Sequence, residues 1–489
     1  MDKKVLAFDF GASSGRAILG AFDGNKITLT EVHRFDNNPV MLRDTLYWDV
    51  LNLFYEIKQG LHKAAECGEF DSVGIDTWGV DFGLLDGRGN LLQNPVHYRD
   101  KRTVGLPEEV AKIVAPDTVY ERTGIQVMEL NTIFQLYSLT KEDPDILQYA
   151  QALLLMPDLF GYLLTGKKTA EYSIASTTSM LDPATRQWDT GMLGKLGIPS
   201  GILQDIVQSG TPLGAVMPDI CEELGLGDVQ VISVAGHDTA SAVVAVPAAD
   251  DDFIYISCGT WSLFGTELQN PIIDTKSQRY NITNEGGFNH STRFLKNIIG
   301  LWLIQETRRQ YRREGKNYSY NDLEVEALAS EPFKYMIDPD DQSFVAPGNL
   351  PLRIAQYCEK TKQGTPQSVG EIVRCIYESI ALKYRYTFEQ ICECTGKDYG
   401  AIHVVGGGTK DNVLCQMTAN AISRPTIAGP IEATALGNIA VQLISQGAIQ
   451  DLKTAREVIR KSFVPITYMP QETDLWGSAY DRFCKIIAD

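Results

Sequence analysis

Long apolar runs are missing from this chain. Its 489 residues contain no unbroken stretch of about 18 apolar side chains, so no membrane-spanning helix is expected. Basic residues are outnumbered: 44 Lys and Arg stand against 62 Asp and Glu, a net charge of −18. A field of that sign repels nucleic acid and anionic membrane, whose binding is dominated by cation–phosphate contacts. It also repels a nucleotide triphosphate at long range, so such a ligand has to rely on local donors and a metal ion. Histidine is scarce at six, and nine scattered cysteines include no Cys-x-x-Cys. No structural zinc is expected, and reduced thiols are. The opening MDKKVLAFDFG has no apolar core of signal-peptide length, and the cytosol is the expected compartment.

What the chain does have is one device written twice. Residues 5–20 read VLAFDFGASSGRAILG and residues 253–265 read FIYISCGTWSLFG. In each, an apolar strand runs into a glycine, small and hydroxyl residues follow, and a second apolar run leaves. Gly11 aligns with Gly259, Ala12 with Thr260 and Ser14 with Ser262. Such a turn points backbone N–H groups and hydroxyls into one concavity suited to phosphate. Two copies half a chain apart predict two like domains that bind one nucleotide. The chain is too long for a single core. The polar break around Pro247–Asp252 divides it into domains 1–246 and 247–489. Strand–helix alternation in both halves makes the fold class α/β.

Local signals mark several elements. Asp49 is a plausible N-cap for the helical pattern 48–66, and Gly396 the stop of a long amphipathic helix over 370–396. GYLLTGKKT (161–169) comes close to a phosphate-binding P-loop, but Lys168 stands where Ser or Thr would hold magnesium. It reads instead as a helix end capped by Gly166. Asn412 could cap the helix that follows Gly406-Gly407-Gly408.

Four groups carry candidate chemistry. Asp9, one residue before Phe10 in an apolar strand, needs a partner or a metal, and magnesium held through water is the functional reading. Arg16 either neutralises a phosphate or lies in solvent. Gly236-His237-Asp238-Thr239 ends a buried strand, where Asp238 either caps a helix or accepts a hydroxyl proton during phosphoryl transfer. Asp76-Thr77-Trp78-Gly79-Val80-Asp81 joins carboxylates, a Trp and a Gly, a mixture that suits a polyol or a buried turn.

Together these segments resemble the FGGY family of carbohydrate kinases. The resemblance runs over essentially the whole chain, through GIDTWGVDFGLLD, YRDKRT, MPDLFGYLLTG, GHDTASAV, SCGTWSL, ITNEGG, KNIIGLWLIQ, VVGGG and GPIEATALGN. It implies two actin-like (ribonuclease H-like) domains with an interdomain ATP cleft. The first would carry the sugar site, the catalytic base and one phosphate hairpin, the second the other hairpin and the adenine. It implies transfer of the ATP γ-phosphate to the 1-hydroxyl of a sugar, L-rhamnulose, with ATP and Mg2+ required and a small-molecule sugar as partner. By motif, Asp238 would be the proton acceptor. Ala12, Ser13, Ser14, Gly15, Arg16, Thr260, Gln305 and Gly407 would line the ATP site. Gly79, His237, Asp238, Thr239 and Asn297 would contact the sugar, and Asp9 would serve magnesium. Many members carry Thr where this chain has Ala12, so Ser13 or Ser14 would supply the hydroxyl. The resemblance also raises Cys67–Cys221 and Cys358–Cys375 as disulfide candidates, against which a reducing cytosol argues. Kinases of this family acting on fuculose, xylulose or glycerol, and a non-catalytic nucleotide switch, are the alternative readings.

Overall fold

In the computed structural model, residues 3–488 are described. They form two compact units. The first comprises Met1–Ala249, Glu267–Phe294 and Ala433–Phe463; the second comprises Asp250–Thr266, Leu295–Glu432 and Val464–Asp489. The first break lies within the polar stretch around 247–252. These groups differ from the sequence division at 246/247 in one respect: segments 267–294 and 433–463 pack with the first unit. Their apolar faces find partners there that no local pattern announces.

The first unit is built on a six-stranded sheet. Its strands are β1 (Lys3–Phe10), β2 (Ser14–Phe22), β3 (Ile27–Asp36), β4 (Ser72–Thr77), β5 (Thr211–Ala215) and β6 (Gln230–Ser233). Their order across the sheet is β5-β6-β4-β1-β2-β3. β1 pairs antiparallel with β2 and parallel with β4; β4 is parallel and β5 antiparallel to β6. β1 is buried from Val5 to Phe10, which explains its unbroken apolar text: a strand covered on both faces does not alternate. The helix Val50–Glu66 covers one face with Leu53, Ile57, Leu61 and Ala64, and Asp49 caps it by accepting from Asn52 N–H at 3.1 Å. The helix Met156–Thr165 ends at Gly166 in the left-handed region, at φ +76°. The 161–169 segment is therefore a helix end and no P-loop.

The strands of a second sheet, which belong to the second unit except for Glu267–Leu268 and Thr292–Phe294, include β7 (Ile254–Cys258), β8 (Trp261–Leu268), β9 (Thr292–Ile299), β10 (Ile402–Val405), β11 (Thr426–Ala428) and β12 (Ile466–Tyr468). Five of them run β8-β7-β10-β11-β12 across the sheet. β7 is antiparallel to β8 and parallel to β10; β11 is parallel to β10 and antiparallel to β12. This is the succession of the first sheet repeated, so the duplication extends from the hairpin to the whole sheet. The long helix Val369–Thr395 starts with a Ser368–Glu371 capping box and stops at Gly396, φ +68°. The helix after the triple glycine is capped by Asp411, which accepts from Leu414 N–H at 2.9 Å; Asn412 is its first residue and no cap.

Within the first unit, the helix Ala433–Ser445 crosses Asp238–Val244 at very close range. A Cβ added at Gly437 would lie 1.7 Å from the Ser241 carbonyl oxygen, which is backbone and cannot yield. Gly437→Ala is expected to cost about 1–3 kcal/mol by overpacking. A lower urea midpoint measures this; an unchanged midpoint would show that the helices have room to separate.

Candidate active site

The first glycine turn is tied down by Asn37. Gly11 N–H donates to the Ser14 carbonyl at 2.9 Å, Asn37 Nδ2 donates to the Gly11 carbonyl at 2.9 Å, and Asn37 N–H to Ser13 at 3.1 Å. Ala12, Ser13 and Ser14 form the lip, with Ser13 exposed. Gly15 leaves room for the Phe35 ring, which a Cβ at 2.2 Å would force to move. Arg16 faces Asp9 across the β1/β2 register, and its Nη2 lies 2.5 Å from Asp9 Oδ2. The solvent reading of Arg16, whose side chain is only 20% exposed, thus gives way to an ion pair with the buried Asp9.

The two turns differ by one residue. Phe10 pairs with Gly15, whereas Cys258 pairs with Ser262. Gly15, and not Ser14, is therefore the structural counterpart of Ser262. The Ser262 hydroxyl is buried and bonded to Tyr384 OH at 2.6 Å, so it offers nothing to a ligand.

Parallel pairing brings Asp76 on β4 beside Asp9 on β1. Asp76 is fully buried; its Oδ2 accepts from Asn438 Nδ2 at 2.6 Å and its Oδ1 has no partner. Burial first, then the charge of Asp9, drives its carboxyl well above the usual range; Asp238 adds to this and Asn438 opposes it. Three carboxylates, Asp9, Asp76 and Asp238, thus converge at the carboxyl ends of β1, β4 and β6, where open α/β sheets bind ligands.

Asp238 opens the helix Asp238–Val244, whose N-cap is His237; neither Asp238 nor Thr239 is the cap. Its Oδ1 accepts from Thr239 N–H at 2.5 Å and Thr239 Oγ1 at 3.1 Å, and lies 3.4 Å from His237 Nε2. Among the described residues, no donor reaches Oδ2. The side chain is 32% exposed, so the free oxygen is open to a ligand. Glu171 fixes the preceding turn. Its buried carboxylate accepts from Gly236 N–H at 3.0 Å, from Ser173 N–H and Ile174 N–H, and from the hydroxyls of Ser173 and Ser209. Ser173 Oγ in turn accepts from His237 N–H at 3.2 Å. Gly79 approaches from the next loop: a Cβ there would lie 3.4 Å from His237 Nε2. Gly79, His237, Asp238 and Thr239 are therefore one locus.

The rest of the anticipated polyol set is structural. Asp81 Oδ2 accepts from Trp48 Nε1 at 2.6 Å, Trp78 Nε1 at 3.0 Å and Tyr98 N–H at 3.1 Å, while Oδ1 accepts from Gln135 Nε2 at 3.0 Å. Trp78 is buried and packed on Trp48 at 4.0 Å between ring centroids. Neither side chain is available to a sugar.

In the second unit, Thr260, Gln305 and Gly407 gather at the end of β7. Gly259 N–H donates to Trp261 at 2.8 Å, while Gly300 and Trp302 N–H both donate to the Thr260 carbonyl, at 3.2 and 3.1 Å. Thr260 Oγ1 lies 3.4 Å from Gln305 Oε1, on the helix Trp302–Arg313. A Cβ at Gly408 would strike Cys258 Sγ at 2.2 Å, so the triple-glycine loop lies directly on the strand that carries this turn. Gly407 is exposed, with open space above it. Asn297 is half-buried on β9. All nine cysteines are free thiols, so neither Cys67–Cys221 nor Cys358–Cys375 is bridged.

Sequence reasoning passed over Asn37, Glu171, Asn438, Glu285 and Arg293. Glu285 was legible in principle, as an acid inside ITNEGG between two apolar stretches. Burial acts to raise its carboxyl, but Arg293 and His237 outweigh this and hold it below the usual range.

Burial pushes the Asp81 carboxyl from 3.8 up to about 6, against the opposing hydrogen bonds of Trp48, Gln135 and Trp78. The folded state therefore binds this proton more tightly than the unfolded chain does. Its contribution to stability falls as pH rises between these two values and is constant above about 6. Asp81→Asn is expected to flatten that part of the pH–stability curve. Urea midpoints measured across the window check this, and an unaltered slope contradicts it.

Comparison with known proteins follows the same layout. Residues 4–245 match the FGGY family of carbohydrate kinases, N-terminal domain, and residues 254–445 its C-terminal domain. A rhamnulokinase of Bacteroides thetaiotaomicron is 42% identical over 484 residues, covering 99% of each chain. One of Halalkalibacterium halodurans is 45% identical over 459 residues, 94% of this chain and 97% of the relative. Among solved structures, a ligand-bound xylulose kinase from Lactobacillus acidophilus superposes with a TM-score of 0.83 at 17% identity, covering 99% and 97% of the two chains. Plasmodium falciparum glycerol kinase with ADP gives 0.78 at 15% identity, covering 99% and 98%.

Proposed function

Because the chain belongs to the FGGY family of carbohydrate kinases, we propose that it transfers the ATP γ-phosphate to the 1-hydroxyl of L-rhamnulose, yielding L-rhamnulose 1-phosphate and ADP in L-rhamnose breakdown. The observation that carries the chemistry is Asp238, a carboxylate bound at Oδ1 and open at Oδ2. The full-length relatives named rhamnulokinase support the choice of sugar.

In this reading Asp238 Oδ2 receives the sugar 1-hydroxyl, holds it for in-line attack and takes its proton late, as the bond to phosphorus forms. An ordinary ionised carboxylate suffices. Gly79, His237, Thr239 and Asn297 hold the remaining sugar groups. Ala12, Ser13, Ser14, Gly15 and Arg16, with Thr260, Gln305 and Gly407, hold the nucleotide. Arg16 is then shared between Asp9 and phosphate oxygen. Positioning and fixed dipoles supply most of the acceleration, because phosphoryl transfer asks little covalent chemistry of the protein.

The carboxylate group fits magnesium. Among the described residues, no set of three or more His, Cys, Asp or Glu could hold a metal ion by itself. Mg2+ ordinarily keeps several waters and takes one or two carboxylates plus substrate phosphate. Asp9 would serve it in that manner, through water, and the partnerless Asp76 Oδ1 beside it suits a site that a cation completes. When bound, the ion neutralises charge developing on the phosphoryl oxygens.

ADP release measured across L-rhamnulose, L-fuculose, D-xylulose and glycerol is expected to give the highest kcat/KM with L-rhamnulose; a faster alternative acceptor would remove the substrate assignment. Asp238→Asn is expected to retain ATP binding and lower turnover by roughly 10²–10⁴. Turnover near that of the parent would remove the base. Asp9→Asn is expected to raise the Mg2+ concentration needed for half-maximal rate, and an identical titration contradicts its role.

A further inference from the structure

A buried ion pair stands directly behind the sugar locus, and its stabilising value does not explain it. Arg293 is wholly buried and Glu285 nearly so. Replacing such a pair by apolar side chains is often neutral or favourable for stability, so its presence calls for another reason. Geometry supplies one. Arg293 Nε donates to the Gly286 carbonyl at 2.7 Å, which fixes the plane of the guanidinium. Arg293 Nη2 then lies 3.1 Å from Glu285 Oε2 and 3.1 Å from His237 Nδ1. A guanidinium nitrogen only donates, so in its hydrogen bond with the ring His237 Nδ1 is the acceptor, while Glu285 Oε2 meets the guanidinium as an ion pair without a hydrogen bond. Nδ1 must then present its lone pair, and the ring proton resides on Nε2. That nitrogen faces Gly79 on one side and Asp238 Oδ1 at 3.4 Å on the other.

We propose that Arg293 and Glu285 are positioning residues that hold His237 as the neutral Nε2–H tautomer, so that the imidazole presents a donor where Gly79, Asp238 and the sugar meet. Glu285 Oε2 also lies 3.3 Å from Nδ1 and would draw a proton there if it stood alone. Arg293, equally close to both, offsets that carboxylate's charge and donates to the lone pair of Nδ1. With the other tautomer, Nε2 would turn a lone pair toward the Asp238 carboxylate, a repulsive contact that loosens the base. Neither residue touches the reacting atoms. Their influence passes through His237, and this inference rests on the sugar-kinase reading above.

Nitrogen-15 NMR of the histidine rings in the full-length, ligand-free protein tests the tautomer, with His237 assigned by the signal lost in His237→Asn. The expected result at neutral pH is protonated Nε2 and bare Nδ1. A protonated Nδ1, in either the neutral or the cationic ring, overturns the proposal. The double variant Glu285→Leu/Arg293→Met removes both charges together and so avoids an orphaned ion. It is expected to melt near the parent, to lose about 10–100-fold in kcat/KM for L-rhamnulose, and to keep its KM for ATP within about twofold. Sugar kinetics like those of the parent in the folded double variant also overturn it. If the double variant does not fold, the parent's tautomer decides. A parent that fails to phosphorylate L-rhamnulose defeats the function reading, and the ring measurement still judges this one.

Discussion

Asp238 Oδ1 accepts from the backbone N–H and the hydroxyl of Thr239 and faces the ring of His237, while Oδ2 is open. A carboxylate gripped on one oxygen cannot turn its other oxygen away from a ligand, and the surrounding first unit serves that restraint. Glu171 accepts the Gly236 N–H of the turn before it, and Ser173 Oγ, itself bonded to Glu171, accepts the His237 N–H. Asn438 holds one oxygen of the neighbouring Asp76, and Arg16 pairs with Asp9. Without those partners, two buried acids beside the partly exposed Asp238 could not both remain in place.

The duplicated sheet shows where the chemistry was and was not kept. In the first copy Asp9 pairs with Asp76 across the parallel ladder; in the second, Ser257 pairs with Val405 at the corresponding step. One copy therefore gathers acids at its strand ends. The other keeps the glycine turn and a hydroxyl, with Thr260 and Gln305 side by side and Gly407 exposed. A shared topology carries a carboxylate cluster once and a cradle twice, a division of labour within one chain.

Features that depend on neighbours in sequence were legible. The strands around both turns, the Asp49 cap and the glycine stops at 166 and 396 are written in local text and appear as read. The locus of Gly79, His237, Asp238 and Thr239 was also legible, through the family resemblance carried by the motifs GIDTWGVDFGLLD and GHDTASAV. Register was not. The extra residue in the first turn shifts Ser14 off Ser262, and an apolar-Gly-small pattern looks the same in either alignment. Asp81 and Trp78 mimic a sugar site in local composition, yet Trp48 and Gln135, which consume Asp81, lie 33 and 54 residues away. Glu171 and Arg293 reach the site across 65 and 56 residues. Partners of that kind are set by tertiary packing alone.

The most direct measurement is a structure of the protein with a non-hydrolysable ATP analogue, Mg2+ and L-rhamnulose bound. The account requires the sugar 1-hydroxyl to lie within hydrogen-bond distance of Asp238 Oδ2 and in line with the γ-phosphorus. A sugar bound with Asp238 Oδ2 facing solvent, or with another side chain at its 1-hydroxyl, would contradict it.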